Sequence, residues 1–273
     1  MIDLHLHTTA SDGRLAPAEL VSAVAAAGGR VMAVTDHDTV AACAEVAELA
    51  AARGMTTVTG IEITAVEEGR DVHVLAYGFR ADDPAFLTFL TAQLAARRER
   101  TARIGARLAE LGAPIDVDEV IASVPTGRSV GRPHIARALV AAGHVRSITE
   151  AFDRWLGGGC PAFVARDGAD VRSVVEVVSR AGGIASLAHP GKAGVDARLR
   201  AFVDAGLPAI EVYHPDHAPA LRDRYRRFAE SHELLMTGGS DYHGEPEQHR
   251  SPGCARVPDG VWAALSARLE PRA

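Results

Sequence analysis

The sequence predicts an α/β fold built on a mostly parallel sheet, closed or nearly closed. Two observations carry this. Short β-rich runs alternate with helical patterns along most of the chain, which is the signature of strands joined by crossover helices. The chain also has 273 residues at 47% hydrophobic composition, enough to bury one barrel-sized core or two smaller ones.

Strands are expected at residues 2–7, 31–35, 57–62, 72–77, 184–189, 209–214 and 234–241. The helical patterns between them carry their own punctuation. PAELVSAVAAAGG opens at Pro17 and stops at a glycine pair, VAACAEVAELAAARG stops at Gly54, and VRSVVEVVSRAGG stops at Gly182. Two places break the rhythm. Only ten residues separate Glu62 from His73, too few for a crossover helix, so this stretch reads as a hairpin turning at Glu68 and Gly69. From Tyr77 to Ile184 there are helical patterns near 84–111, 116–124, 132–142 and 147–156 but no strand. Residues 1–99 and 166–273 are therefore expected to form the barrel and 100–165 a helical insertion, a lid over its rim. The run RRERTAR at 97–103 reads as a solvated helix face.

A net charge of −6 argues against duplex DNA as a partner, while leaving room for a local basic pocket that takes one or two phosphates. Cys43, Cys160 and Cys254 fit neither a disulfide framework nor a thiolate zinc site and suggest a reducing compartment. No apolar stretch reaches the ~18 residues of a membrane span, and the first residues do not resemble a signal peptide. A cytoplasmic protein without a membrane partner is expected.

The chemistry gathers at the strand tips. His5 and His7 share one face of the first strand, and Asp12 follows it. Asp36, His37 and Asp38 follow the second strand, Glu62 ends the third, and His73 lies in the hairpin. His189, Asp241 and His243 complete the series. Carboxylates and imidazoles collected on one rim are costly unless divalent metal ions hold them together. Imidazole and carboxylate without thiolate suit Mn²⁺, Fe²⁺ or Zn²⁺. The candidates His5, His7, Asp12, His37, Glu62, His73, His189, Asp241 and His243 exceed the needs of one ion, so two or three are implied. Such a centre suits hydrolysis of a phosphate ester. Asp36 and Asp38 either orient His37 or serve the loop, and His144, His217, His232 and His249 read as surface residues.

HLHTTASDG, TDHDT, GIEI, LAHPGK, IEVYH and GGSDYHG, in this order, resemble the successive motifs of the PHP (polymerase and histidinol phosphatase) family. The resemblance implies a distorted (β/α)7 barrel with a di- or trinuclear site, Mn²⁺ foremost, at which water activated by the ions attacks phosphorus. It also implies a ligand set. His5, His7, Glu62 and Asp241 would hold one ion, Glu62 would share a second with His73 and His189, and Asp12, His37 and His243 would hold a third. VGRPHIARALVAAGHV and AFDRWLGGGCPAFV resemble the insert of the branch with nucleoside 3',5'-bisphosphate phosphatases and short-RNA 5'-to-3' exonucleases. Nucleotide or short RNA substrates follow, with a small-metabolite phosphatase such as a histidinol phosphatase, or an amidohydrolase, as the alternatives. Arg132 and His134 at a helix start would bind a second phosphate. Lys192 would contact phosphate as well, His214 would contact substrate or donate a proton, and Asp241 and His243 would serve catalysis directly.

Overall fold

A computed structural model describes residues 1–269. The strands form two sheets. The first is parallel, in the order β1 (Ile2–Leu6), β2 (Val31–Val34), β3 (Thr56–Thr57). The second runs β4 (Gly60–Glu67), β5 (Arg70–Tyr77), β6 (Ile184–Leu187), β7 (Ala209–Tyr213), β8 (Leu235–Gly238). Strand β5 is antiparallel to both of its neighbours, as the short hairpin requires, and the rest of that sheet is parallel. The helices are α1 (Pro17–Ala26), α2 (Cys43–Ala51), α3 (Pro84–Glu110), α4 (Val117–Ala122), α5 (Arg132–Ala141), α6 (Ile148–Ala151), α7 (Val171–Arg180), α8 (Pro190–Ala193), α9 (Leu199–Asp204), α10 (Pro219–Ser231) and α11 (Asp259–Leu269). Among the described residues no helix is long and apolar enough to cross a membrane.

The sheet expected to be closed or nearly closed is thus not closed by continuous strand pairing, but consists of two sheets that meet at their edges. Only isolated bridges span the seams, Leu6 with Tyr242 and His37 with Glu62. The expected strand at 57–62 is likewise two pieces: Thr57 belongs to the first sheet and Gly60 opens the second. A Cβ on Gly60 would lie 2.6 Å from the Val34 carbonyl, so only glycine lets the chain pass this close to β2 as it changes sheet. At the other seam a Cβ on Gly239 would sit 2.3 Å from the His5 amide nitrogen. Both glycines bring backbone against backbone where the polar residues collect.

Helix α3 explains how the chain between β5 and β6 is attached. Asp83 caps it by accepting the Phe86 N–H, and Pro84 fills its first turn. Its buried residues form one stripe at helical spacing: Phe86, Leu90, Gln93, Arg100, Thr101, Ile104 and Leu108. Phe86 and Leu90 pack into the core of the second sheet. Ile104 and Leu108 join a separate core with Ile135, Leu139 and Leu156. Between the two cores the stripe is polar. Arg97 Nε donates to Asp38 at 2.6 Å and Arg100 Nη1 to Asp71 at 2.8 Å. RRERTAR is thus not simply a solvated face. Arg97 and Arg100 turn inward, while Glu99 and Arg103 stay outside.

Asp38 is wholly buried and also accepts the Thr64 N–H at 2.8 Å and Arg166 at 3.3 Å. Burial pushes its carboxyl up, but Arg97 and Arg166 prevail and hold it far below the usual carboxylate range. Asp38→Ala strands two guanidinium groups without this carboxylate and should cost about 3–5 kcal/mol. Leu108→Ala should cost about 2–5 kcal/mol through the cavity it leaves. Urea unfolding measures both, and a midpoint unchanged from the parent contradicts the corresponding assignment.

Candidate metal centre

Strand alternation places the first ligands. Ile2, Leu4 and Leu6 enter the apolar cores, and His5 points to the other side of β1, followed by His7 just beyond the strand. Asp36 organises the loop that follows. It accepts the Thr8 N–H at 2.8 Å and the hydroxyls of Thr8 and Ser11 at 2.6 Å, which fixes the turn carrying Asp12. Asp36 and Asp38 therefore brace loops and the insertion.

At the centre stands Glu62. Its Oε2 lies 3.2 Å from His5 Nε2, His7 Nε2 and His37 Nδ1, and its Oε1 lies 2.8 Å from His73 Nδ1 and 3.0 Å from His189 Nε2. Asp241 Oδ1 is 3.4 Å from His7 and 3.5 Å from His5 and His243. Asp12 reaches His243 at 3.3 Å, His37 at 3.5 Å and His7 at 3.7 Å. All nine candidate ligands are thus brought together. Three overlapping groups result: His5, His7, Glu62 and Asp241; His7, Asp12, His37 and His243; and His37, Glu62 and His73. His7 and His37 sit between groups instead of belonging to one each, and His189, in none of the three, reaches Glu62 through Nε2 and packs its ring against His5 and His73.

The donor geometry fits metal ions. Neither nitrogen of His7 makes a hydrogen bond although carboxylate oxygens of Glu62, Asp241 and Asp12 surround it. Nδ1 of His37, His73 and His189 is likewise buried and unpaired. His5 Nε2 and His189 Nε2 are in hydrogen-bonding geometry with Glu62, but the unpaired nitrogens and the carboxylates converge on common points without donating to one another, and a cation at those points satisfies both. Burial alone does not let the rings share one charge state. Burial pushes the His7 ring down, yet Asp241 and Glu62 raise it to about 10, whereas His189 is lowered to about 4, chiefly by burial.

Asp241 is held from behind. Its Oδ2 accepts Arg250 Nη1 at 2.8 Å and faces Lys192 Nζ and His214 Nε2, each at 3.3 Å, leaving Oδ1 to the cluster. His214, expected to contact substrate or donate a proton, is wholly buried, is not among the residues lining the cavity, and faces Asp241 Oδ2 as a brace. His217 is also corrected: it is buried, bonded through Nδ1 to the Val212 carbonyl and packed against Tyr225.

A cavity of about 420 Å³ opens over the cluster. Asp12, His37, Glu62, His73, Asp241 and His243 lie at one end, and Lys192 reaches in half-exposed. Ile104, Val130, Pro133, Ile148 and Phe152 from the insertion supply an apolar wall. Between these ends lie Arg97, Arg100, Arg132 and Arg166, which among the described residues share Asp38 and Asp71 as carboxylate partners. Arg100 Nη2 and Arg166 Nε are buried without a hydrogen-bond partner. Burial and then the neighbouring guanidinium groups lower the Arg132 pKa, although Asp71 opposes them. His134 does not line this cavity. Its Nδ1 accepts the Gly131 N–H at 3.2 Å and serves as a cap for α5. Sequence reasoning missed Arg97, Arg100, Arg166 and Arg250. For the first two the signal was their place on the α3 stripe; the others lie in loops without periodicity.

Comparison with known proteins agrees with this geometry. The PHP domain model matches residues 3–181. A 5'-3' exoribonuclease of Haemophilus influenzae is 37% identical over 247 residues, covering 88% of this chain and 89% of that protein. A 3',5'-nucleoside bisphosphate phosphatase of Chromobacterium violaceum is 31% identical over 277 residues, covering 98% and 97%. A crystal structure described as a metal-dependent phosphoesterase of Bifidobacterium adolescentis superposes with a TM-score of 0.88 at 34% identity, covering 98% of this chain and 96% of that one. On the family model, the relatives and the clustered ligands together, the chain belongs to the PHP domain family of metal-dependent phosphoesterases.

Proposed function

We propose that this phosphoesterase acts on a nucleotide or the 5' end of a short RNA that carries a second phosphate. The observation that carries the reading is the surplus of buried positive charge: four guanidinium groups share two carboxylates beside the cluster, and two of their nitrogens lack partners. Buried cations in excess are stabilised by an anionic ligand. Strand geometry sets the spacing. Thr64, which bonds Arg97 Nη2 at 2.7 Å, is two residues beyond Glu62 on β4, and Asp71 is two residues from His73 on β5. Two residues along a strand span about 7 Å on one face. One phosphate at the cluster and another at the arginines thus lie a sugar's width apart, and the apolar wall beyond suits a base.

The nine ligands hold two to three divalent ions in this reading, with Mn²⁺ ahead of Fe²⁺ and Zn²⁺. Such ions, when bound, lower the pKa of water and neutralise charge developing on phosphoryl oxygens. The chain's own residues do the rest. Arg100, Arg132 and Arg166 anchor the phosphate that is not cleaved. Lys192 Nζ, beside Asp241, offers hydrogen bonds to the reacting phosphate, and His243 and Asp241 fix the site's outer edge. Residues 100–165 act as the lid. They exclude water with the apolar wall and are tied down by Arg137, which donates to the Asp12 carbonyl at 2.5 Å and to Glu245 at 2.6 Å. The two sheets are in this view arcs of one distorted barrel. The three free cysteines suit a cytoplasmic setting.

Arg132→Ala should lower kcat/KM for a nucleoside 3',5'-bisphosphate about ten- to hundred-fold, the worth of a charged hydrogen bond at ~1.5–3 kcal/mol. Cleavage of a small activated monoester should change little, because the cluster remains intact. Equal loss on both substrates, or on neither, contradicts the second phosphate site and returns the reading to a small-metabolite phosphatase. The metal reading has its own test. Glu62→Gln should carry less divalent metal than the parent by elemental analysis and lose activity at least about a hundred-fold. Full activity after thorough chelation contradicts it.

A further inference from the structure

Glu211 is a carboxylate beside the cluster that belongs to none of its three groups. It lies in the middle of β7, is wholly buried and does not line the cavity. Its two oxygens serve two ligands from different strands. Oε1 is 3.0 Å from His5 Nδ1, and Oε2 accepts the backbone N–H of His189 at 2.7 Å.

The first contact decides which nitrogen His5 offers. A carboxylate has no proton to give, so the imidazole donates through Nδ1. With Nδ1 held by Glu211, Nε2 is the nitrogen aimed at the cluster: it is within hydrogen-bonding distance of Glu62 Oε2 at 3.2 Å and lies 3.5 Å from Asp241 Oδ1, and a cation at the point where the three converge would take its lone pair.

The second contact holds a strained turn. Asp38, His189 and Asp241 all have left-handed backbone, with φ of 52°, 26° and 50°. For residues with a Cβ this backbone is strained and persists only where the surroundings hold it. At Asp38 and Asp241 the amide is satisfied by a neighbouring backbone, the Glu62 and His5 carbonyls, both at 2.9 Å. At His189 no backbone carbonyl does this, and the Glu211 side chain takes its place.

We propose that Glu211 is a positioning residue for the metal centre: one carboxylate sets the tautomer of His5 and holds the turn from which His189 reaches Glu62. This rests on the metal reading of the site. Glu211→Gln keeps the shape but offers one acceptor to two donors and turns an NH₂ group toward the other. The measurement is Mn²⁺ affinity by competition with a chromophoric chelator, alongside histidine ¹⁵N spectra of the protein loaded with diamagnetic Zn²⁺. The folded variant should bind Mn²⁺ about 10- to 100-fold more weakly, and His5 should lose its dominant Nδ1–H form. Glu211→Asp, too short to reach both donors, should also bind more weakly and stands in if the glutamine variant fails to fold. Unchanged affinity in a folded variant, or an unaltered His5 tautomer, overturns the role of Glu211 alone. A parent protein that binds none of Mn²⁺, Fe²⁺ and Zn²⁺ overturns the metal reading and this role with it.

Discussion

Five imidazole nitrogens lie within 3.2 Å of one sealed carboxylate, that of Glu62, and much of the architecture follows from making that arrangement stable. Burial pushes the Glu62 carboxyl up, and His37, His73 and His5 outweigh it and hold it well below its usual range. The histidines come from four separate segments, so the fold must bring β1, the β2 exit, β5 and the β6 exit to one point. It does so at the seams between two sheets. Ordinary strand pairing would spend the rim's backbone on continuous ladders, whereas isolated bridges at Leu6 and His37 leave the exits free to turn inward. Left-handed backbone at Asp38, His189 and Asp241 is the local strain this entails.

A second electrostatic arrangement sits beside the first and has the opposite sign. The cluster gathers carboxylates around one point, and the arginines of α3, α5 and the loop before α7 gather positive charge around Asp38 and Asp71. Helix α3 is the physical link, because its single stripe joins the sheet core to the insertion's core with Arg97 and Arg100 between. The side chains that attach the insertion are thus the ones proposed to recognise an anion. On that proposal a phosphate bound there would also relieve the repulsion among the guanidinium groups, so that ligand and insertion would support each other.

The ligands were legible because strand alternation and chain punctuation are local. His5 and His7 share a face, and Glu62, His189, Asp241 and His243 sit near strand ends, so each could be placed without knowing the tertiary fold. Helices α1, α2 and α7 were legible from proline and glycine signals. What escaped depended on contacts distant in sequence. Arg97 and Arg100 look like surface charge until their positions on the stripe from Phe86 to Leu108 are aligned with two cores. Glu211 lies in a quoted motif, yet its role appears only when β7 is set against β1 and β6. The split of 57–62 between sheets turns on one close approach at Gly60, which composition does not reveal.

The central claim is that cations occupy the convergence points around Glu62. An anomalous-difference map from crystals of the Mn²⁺-loaded protein tests it most directly. The account predicts one peak between Glu62, Asp241, His5 and His7, and another on the side of Glu62 that faces His73 and His189. Featureless density there, with the imidazoles hydrogen-bonded directly to Glu62 in the presence of saturating Mn²⁺, would contradict it.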